Sequence, residues 1–363
     1  MSTATGSTSM ELNSPSWFHD AEWLKAKKGL RVAVCESRGK NSFDLMAAIY
    51  LATLDNDTVL NLQCFDDKRD STTATSLAKK LASDGVQVVI GHFAAIAAMS
   101  AARIYDENSI LFLAPGCSDP MLCSSGGPGT YAIRFFGNDT EQMECLISAI
   151  PEQARVRIFA QIGNYGYRLG KALHQRLSVH ASSSTIDFLH VNDKRCRSRM
   201  LANDLVLIAG SSEFASCVAK ALPFAEGQTL LLTDDCRLDL AAELKLCSHT
   251  RVATLDCDLS SSNQTRFAKL IERAKFLIGR PPGPYFLTSY LACEALCVAI
   301  SESSEKSTDY LRSSILRQSI SSPYGMLEFD SAGNLQGHTW LLKTAPKYFR
   351  NDLEEEVPYD RVF

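Results

Sequence analysis

From Arg31 onward, runs of consecutive apolar residues alternate with segments whose apolar positions recur at helical spacing. Consecutive apolar runs indicate strands buried on both faces, and the helical spacing indicates amphipathic helices. The predicted strands of this first series are Arg31–Glu36, Val59–Phe65, Val86–Gly91 and Ile110–Ala114. The predicted helices between them are Phe43–Leu54, Thr73–Ala82 and Ala94–Tyr105. This order predicts a parallel sheet covered by helices on both faces.

A second series of the same kind begins after residue 155. Its predicted strands are Val156–Gln161, Thr185–Val191, Asp204–Gly210, Thr229–Thr233 and Arg251–Asp256. Its predicted helices include Tyr167–Leu177, Glu213–Leu222 and Leu238–Leu246. Two successive series of similar size predict an α/β protein with two doubly wound, Rossmann-like lobes.

The last part of the chain does not form a third series. It predicts the helices Tyr285–Ser303 and Asp309–Ile320, followed by the strands Gly325–Phe329 and Thr339–Lys343. Because this segment is short for an independent domain, we expect it to complete both lobes and to create a multi-strand hinge beside a cleft. The expected division is an N-terminal extension (1–29), lobe 1 (30–137 with 258–328), lobe 2 (138–257 with 329–350) and an acidic tail (351–363).

Composition and charge narrow the class of protein. The 363 residues include 45% hydrophobic and 21% charged residues, and the formal net charge is −4. A nucleic-acid partner is not expected, because phosphate binding needs a concentrated basic surface. The longest apolar candidate for a membrane span, Tyr285–Ile300, is interrupted by Thr288, Ser289 and Glu294, so it predicts a core helix.

The N-terminus and the cysteines both favour a reducing compartment. Met1–Pro15 is rich in Ser and Thr and has neither the basic start nor the apolar stretch of a secretory signal. The expectation is therefore a cytoplasmic protein, or a periplasmic one whose native signal has been removed. Of the twelve cysteines, most lie in apolar strand or helix patterns and are predicted to be reduced, structural thiols: Cys35, Cys64, Cys145, Cys217, Cys247, Cys293 and Cys297.

No motif predicts catalysis, a cofactor or a metal. The sequence contains no GxSxG elbow, HExxH pair or phosphate-binding loop, and the glycine-rich Ser124–Gly129 precedes a strand and is interpreted as a turn. Cys293 and Cys297 share a helix face, but no further Cys/His pair lies at zinc spacing, so core packing is favoured. His92, which follows a strand, is interpreted as a core histidine.

The stretch Val88–Leu122 contains a strand ending in IGH, a helix ending in IYDEN, a further strand and a PGCSDP turn. In the order and spacing of these motifs, it resembles the leucine/isoleucine/valine-binding proteins. Tyr165–Gly166 after a strand, Gly283–Tyr285 before a long helix, and the segment Gly325–Gly337 extend the similarity over most of the chain. The resemblance implies the type I periplasmic-binding-protein fold, and a homodimer through lobe 1 is a further expectation.

The resemblance also implies a ligand site at the carboxyl ends of the strands, where helix N-termini present free N–H groups. Ser118 matches the position of a hydroxyl directed at a ligand carboxylate, and Cys117 beside it would offer backbone contacts. Tyr165 matches a cleft tyrosine, and Asp235 matches the carboxylate that meets a ligand ammonium, with Asp234 in that role if the register shifts by one. Ser118 and Asp235 could instead be helix caps, and Tyr165 a half-buried loop aromatic.

Other family positions differ in this chain. Ala95 stands where the family has a serine, and Ser211 stands where a tyrosine is frequent. The shortened loop Ser37–Ser42 lacks the usual aromatic. Of the two cysteines that form the family's bridge, one position is matched by Cys64 and the other by Ala94. These departures leave a branched-chain amino acid in doubt as the ligand.

The expected function is therefore non-catalytic binding of a small polar ligand, such as an amino acid or an amide, with hinge closure. Such a protein could deliver its ligand to a membrane permease. It could alternatively be a cytoplasmic sensor that controls a regulatory partner, as the amidase regulator does with the same fold. An enzyme that uses the cleft, for instance through Cys117, is a third hypothesis without a motif to support it.

Overall fold

The computed structural model describes residues 29–37, 39–124, 130–163, 165–191, 193, 204–222, 228–237, 250–255, 264–304, 306–338 and 340–344. The expected N-terminal extension and acidic tail lie outside these residues, except for residue 29. Within the described ranges, no helix combines the length and the apolar character needed to cross a bilayer.

The first lobe is built on a five-stranded parallel sheet. Its strands are β1 (Arg31–Cys35), β2 (Asn61–Phe65), β3 (Val88–Gly91), β4 (Leu111–Ala114) and β5 (Ala132–Arg134), in the order β2-β1-β3-β4-β5. The helices of this series are α1 (Lys40–Asp55), α2 (Ser71–Ser83) and α3 (Ala95–Glu107). All residues of β3, β4 and β5 are buried, because helices cover both faces of the sheet. The predicted parallel α/β architecture is confirmed.

The second lobe contains the second series. Its helices are α4 (Asp139–Ser148), α5 (Tyr165–His180) and α6 (Ser212–Ala221), and its parallel strands are β6 (Arg155–Gln161), β7 (Ser183–Leu189), β8 (Asp204–Ala209), β9 (Leu230–Leu232) and β10 (Thr250–Leu255). The predicted helix Leu238–Leu246 lies outside the described residues.

The C-terminal segment packs a helix against the first lobe and adds a strand to the sheet of the second lobe. It forms α7 (Gln264–Ile278), α8 (Phe286–Glu302) and α9 (Thr308–Leu316), then β11 (Ile320–Ser322), β12 (Gly325–Phe329), β13 (Leu335–Gln336) and β14 (Trp340–Thr344). Helix α8 packs against α1 on the first lobe. Strands β11–β13 form a small antiparallel sheet, whereas β14 pairs antiparallel with β10 and gives the second sheet the order β14-β10-β9-β8-β6-β7. The exact domain boundaries stay predictions.

One predicted helix extends too far and includes a residue that belongs to a strand. The helix expected over Asp309–Ile320 ends at Leu316, and Ile320 starts β11 instead. Ile320 is buried and pairs with Leu327 of β12, so tertiary pairing takes the last apolar residue of the pattern away from the helix. A single apolar position at helical spacing does not distinguish these two outcomes.

Candidate functional site

The two lobes meet where their parallel strands end. Tyr285, directly before α8, packs its ring against Phe93 and Phe136, at centroid distances of 4.8 and 5.3 Å. In the first turn of α8, the Thr288 hydroxyl donates to the carbonyl oxygen of Pro115 at 2.6 Å, which holds the helix against the turn after β4. The Tyr285 hydroxyl donates to Asp235, which follows β9 of the second lobe. This hydrogen bond therefore connects the lobes.

Asp234, the neighbour of Asp235, is held by side chains of the second lobe. The Gln142 amide on α4 donates to Oδ1 of Asp234 at 2.8 Å. The Tyr165 hydroxyl, at the start of α5, lies 2.6 Å from the Thr233 hydroxyl, 3.1 Å from the Gly210 carbonyl oxygen and 3.3 Å from the same Asp234 oxygen. Tyr165 thus lies among polar groups at the ends of β8 and β9.

A third carboxylate, Asp139, joins this region from the N-terminus of α4. Its backbone N–H donates to the Ser118 carbonyl oxygen at 2.8 Å, and the Ser118 hydroxyl bonds to its carboxyl group. Arg168 of α5 forms an ion pair with Asp119 and lies 3.6 Å from Oδ2 of Asp139. We refer to Asp139, Asp234 and Asp235 as the acidic cluster.

Burial makes the acidic cluster hold protons more tightly than free carboxylates do. Loss of solvation raises the pKa of Asp139 to about 7, and the charges of Asp234 and Asp235 add to this, while the Ser118 hydrogen bond opposes it. Burial and the neighbouring charge of Asp235 likewise raise the pKa of Asp234 to about 7. Burial also raises the pKa of Asp235. Carboxylates placed together in a dry site favour partial neutralisation at neutral pH.

These shifts predict a loss of stability as pH rises from 5 to 8. Because the unfolded carboxyls titrate near pH 4, at pH 5 only the folded chain keeps the protons of Asp139 and Asp234, and it loses them as pH passes about 7. The stabilisation is complete below about pH 4 and disappears through about pH 7. Asp234→Asn should reduce the fall in the free energy of unfolding between the two pH values by about 1 kcal/mol or more, as measured by urea denaturation at each pH. An equal fall in both proteins would contradict this assignment.

The other residues expected at the site are buried or lie at the start of a helix. Cys117 is fully buried, and burial raises the pKa of its thiol to about 12. Ala95 is the first residue of α3 and is half-buried. Ser211 caps α6 by accepting the Phe214 N–H at 3.3 Å, and its own N–H donates to the Gln161 side chain at 2.8 Å. Ligand contacts by Cys117, Ser118, Tyr165, Asp235, Ala95 and Ser211 stay predictions.

Sequence reasoning missed Asp139, Gln142 and the role of Tyr285. A signal was present on α4, where Asp139, Gln142 and Leu146 follow at spacings of three and four residues and are all buried. The face of an amphipathic helix that should carry apolar residues therefore begins with a carboxylate and an amide. Polar residues on a buried face are a reason to suspect a site, because their burial is costly without partners.

The histidine and the cysteine pair that the sequence analysis interpreted as core residues are buried in the structure. His92 is fully buried, with Nδ1 2.9 Å from Asp67 and Nε2 2.8 Å from the Tyr105 hydroxyl. Cys293 and Cys297 are fully buried on α8. No disulfide joins the nine cysteines of the described residues, while Cys247 lies outside them. No cluster of possible metal ligands occurs in the part of the chain that the structure describes.

Comparisons with known proteins extend the resemblance. No protein-family model matches the chain. The leucine-specific-binding protein of Salmonella typhimurium is 25% identical over 285 residues, which cover 75% of this chain and 76% of the relative. A substrate-binding protein of an ABC transporter from Desulfitobacterium hafniense, in complex with Leu, aligns with a TM-score of 0.69 at 19% identity, over 87% of this chain and 97% of that one.

A solute-binding protein of an ABC transporter from R. palustris, in complex with benzoate, aligns with a TM-score of 0.72 at 15% identity, over 88% of this chain and 93% of that one. The likeness to these two structures covers both lobes of the fold. Together with the sequence similarity along three quarters of the chain, it places the two sheets and their connections in one known architecture. The chain therefore has the type I periplasmic-binding-protein fold, and it resembles the leucine/isoleucine/valine-binding proteins in sequence.

Proposed function

We propose that this protein is a non-catalytic receptor that binds a small polar ligand between its lobes and closes over it. The observation that carries the proposal is the hydrogen bond from Tyr285 to Asp235, since it joins the strand ends of one lobe to those of the other. The ion pair between Arg168 and Asp119 is a second contact of this kind. A ligand that touches both walls would favour the closed arrangement by its differential affinity for it.

The fold alone does not determine which ligand binds. One structural neighbour was solved with Leu and another with benzoate, although both share the architecture of this chain. Ligand chemistry must therefore follow from side chains at the strand ends, here Ser118, Tyr165 and the acidic cluster. Delivery of the ligand to a membrane permease is the use that the transport relatives support.

A cytoplasmic sensor that controls a regulatory partner is the second candidate. It is favoured by the absence of disulfide bonds among the nine cysteines of the described residues, because reduced thiols persist in a reducing compartment. Fractionation of cells that express the full-length protein with a C-terminal tag separates the two uses. Recovery in the periplasm supports transport, and recovery in the cytoplasm supports sensing.

Catalysis through Cys117 has little chemical support. A cysteine attacks as its thiolate, and burial holds this thiol in its neutral form by raising its pKa to about 12. The cysteine is fully buried, so a substrate would also lack access to its sulfur. The role that fits Cys117 is to pack its side chain in the core beneath its own turn, Pro115–Pro120.

The proposal is tested by a thermal-shift screen with amino acids, amides, amines and aromatic acids, followed by small-angle scattering. A ligand at a hundred times its Kd should stabilise the fold by about 2.7 kcal/mol. The same ligand should reduce the radius of gyration if the lobes close. Tyr285→Phe should weaken binding about tenfold, because it removes a hydrogen bond to a carboxylate that supports the closed arrangement.

Tyr131→Phe is the matched control, since it also removes a tyrosine hydroxyl that donates to an aspartate, Asp309, at 2.8 Å. Tyr131 lies away from the strand ends that form the site, so its variant should bind the ligand as the wild type does. Equal losses in both variants would argue against ligand binding at the interlobe site. Absence of any stabilising compound across the screen would reject the proposed function.

A further inference from the structure

The acidic cluster contains hydrogen-bond acceptors that have no donor. Gln142 is fully buried, and while its Nε2 donates to Asp234, its Oε1 accepts no hydrogen bond from the described residues. Oδ1 of the buried Asp139 also lacks a donor within them. Because Gln142 and Asp234 are bonded to each other, the free amide oxygen lies at the cluster itself. Buried acceptors without partners are costly, so a ligand that supplies donors here gains affinity.

The nearby hydroxyl groups are already directed at acceptors. Tyr285 donates to Asp235, and the Ser118 hydroxyl bonds to Asp139. The Tyr165 hydroxyl lies within hydrogen-bond distance of Asp234, Thr233 and the Gly210 carbonyl oxygen. A ligand carboxylate would have to displace these bonds to accept a hydrogen bond from one of the hydroxyl groups. A ligand ammonium or guanidinium group would not have to displace these bonds, because it donates hydrogen bonds itself.

When the carboxyls of the cluster are ionised, the charged groups facing them leave this region negative. Arg69 lies 3.7 Å from Glu36, and Arg168 is paired with Asp119. Arg134 donates to the Asp119 carbonyl oxygen at 2.7 Å. These three guanidinium groups therefore have partners of their own, and they face five carboxylates in total, counting Glu36, Asp119 and the three of the cluster. A further carboxylate would meet like charges, whereas a cation would reduce the imbalance.

We propose that the ligand of this site is a small organic cation with at least two N–H donors at one end and no carboxylate. The inference rests on the proposed function, and it names the ligand class for the same interlobe site. The N–H groups donate to Oε1 of Gln142, Oδ1 of Asp139 and the carboxylate of Asp234. The positive charge stabilises the ionised form of the acidic cluster. Primary amines, amidines and guanidines have this chemistry.

Four probes that share a 3-methylbutyl group test the charge requirement by calorimetry at neutral to slightly alkaline pH. 3-Methylbutylamine and l-leucinamide carry the cation alone, l-leucine carries both charges, and 4-methylpentanoate carries the carboxylate alone. 4-Guanidinobutylamine serves as a cation with more donors. At least one cation probe should bind ten times or more tighter than l-leucine, and 4-methylpentanoate should not bind, because it adds an uncompensated charge.

Gln142→Met removes the free acceptor and should weaken binding of the best cation probe about tenfold. Gln175→Met on the exposed surface of α5 is the matched control and should leave that affinity unchanged. If Gln142→Met does not fold, Asp139→Asn provides the same comparison with a smaller change in shape. Unchanged affinity in the folded variant would overturn the inference.

The outcomes separate this inference from the proposed function. Tighter binding of l-leucine or 4-methylpentanoate than of every cation probe, with a reduced radius of gyration, overturns the cation assignment and leaves the receptor proposal intact. Failure of every probe and of the neutral and anionic compounds in the thermal-shift screen overturns both.

Discussion

Gly91→Ala should lower the free energy of unfolding by about 3 kcal/mol or more. Gly91 ends β3 with φ +136°, and a β-carbon added there would overlap the carbonyl oxygen of Cys35 on the neighbouring β1. That oxygen also accepts the N–H of His92 at 2.6 Å, so it is held in place by the chain that follows Gly91. Relief of the overlap requires β1 and β3 to separate at the wall of the site.

Gly39→Ala separates the overlap from backbone strain. Gly39 has φ +155°, comparable to that of Gly91, but a β-carbon at this position meets no atom within 4 Å. The control variant should therefore lose only the strain cost of about 1 to 3 kcal/mol. Urea denaturation followed by circular dichroism gives both values from the midpoints. Equal midpoints for the two variants would show that the close approach of β1 and β3 does not limit stability.

Asp67→Ala should lower the free energy of unfolding by about 3 to 5 kcal/mol, because it removes one partner of a buried polar pair. Asp67 is fully buried, with Oδ2 2.9 Å from Nδ1 of His92, and its Oδ1 accepts the Arg69 N–H at 2.9 Å. Without this carboxylate, the His92 ring would keep only the Tyr105 hydroxyl as a partner in a dry core.

Asp66→Ala is the matched control, since the neighbouring Asp66 is half-buried and accepts the Lys68 N–H at 2.9 Å. Its loss should cost about 1 kcal/mol. Chemical denaturation at pH 7 measures the difference between the two variants. Similar losses would mean that the Asp67–His92 contact contributes little to the folded state.

The effect of Asp67→Ala should also depend on pH. Burial alone would raise the pKa of Asp67, but the hydrogen bond and charge of His92 hold it below its usual value. The stabilisation is then present above the unfolded pKa of about 4 and is lost as pH falls through the folded value. The gap in stability between wild type and variant should therefore narrow below about pH 4. A constant gap would contradict this contribution.

The sequence was sufficient to predict the parallel α/β architecture. Runs such as Val88–Gly91 and Leu111–Ala114 consist of apolar residues or glycine, and such runs are stable only with helices on both sides of a sheet. The sequence was less informative where polar residues occupy the buried face of a helix, as on α4. There Asp139 and Gln142 hide the helical periodicity, because their partners come from distant parts of the chain.

The interlobe site was likewise predictable from the sequence only in part. The positions of Ser118, Tyr165 and Asp235 after strands follow from the sequence pattern, and parallel strands bring such positions to one edge of each sheet. The hydrogen bonds from Tyr285 to Asp235 and from Gln142 to Asp234 arise only when the chain is folded. These contacts join residues that are 50 and 92 positions apart, so no local pattern encodes them. Burial then sets the protonation of the carboxylates, because desolvation depends on everything packed around them.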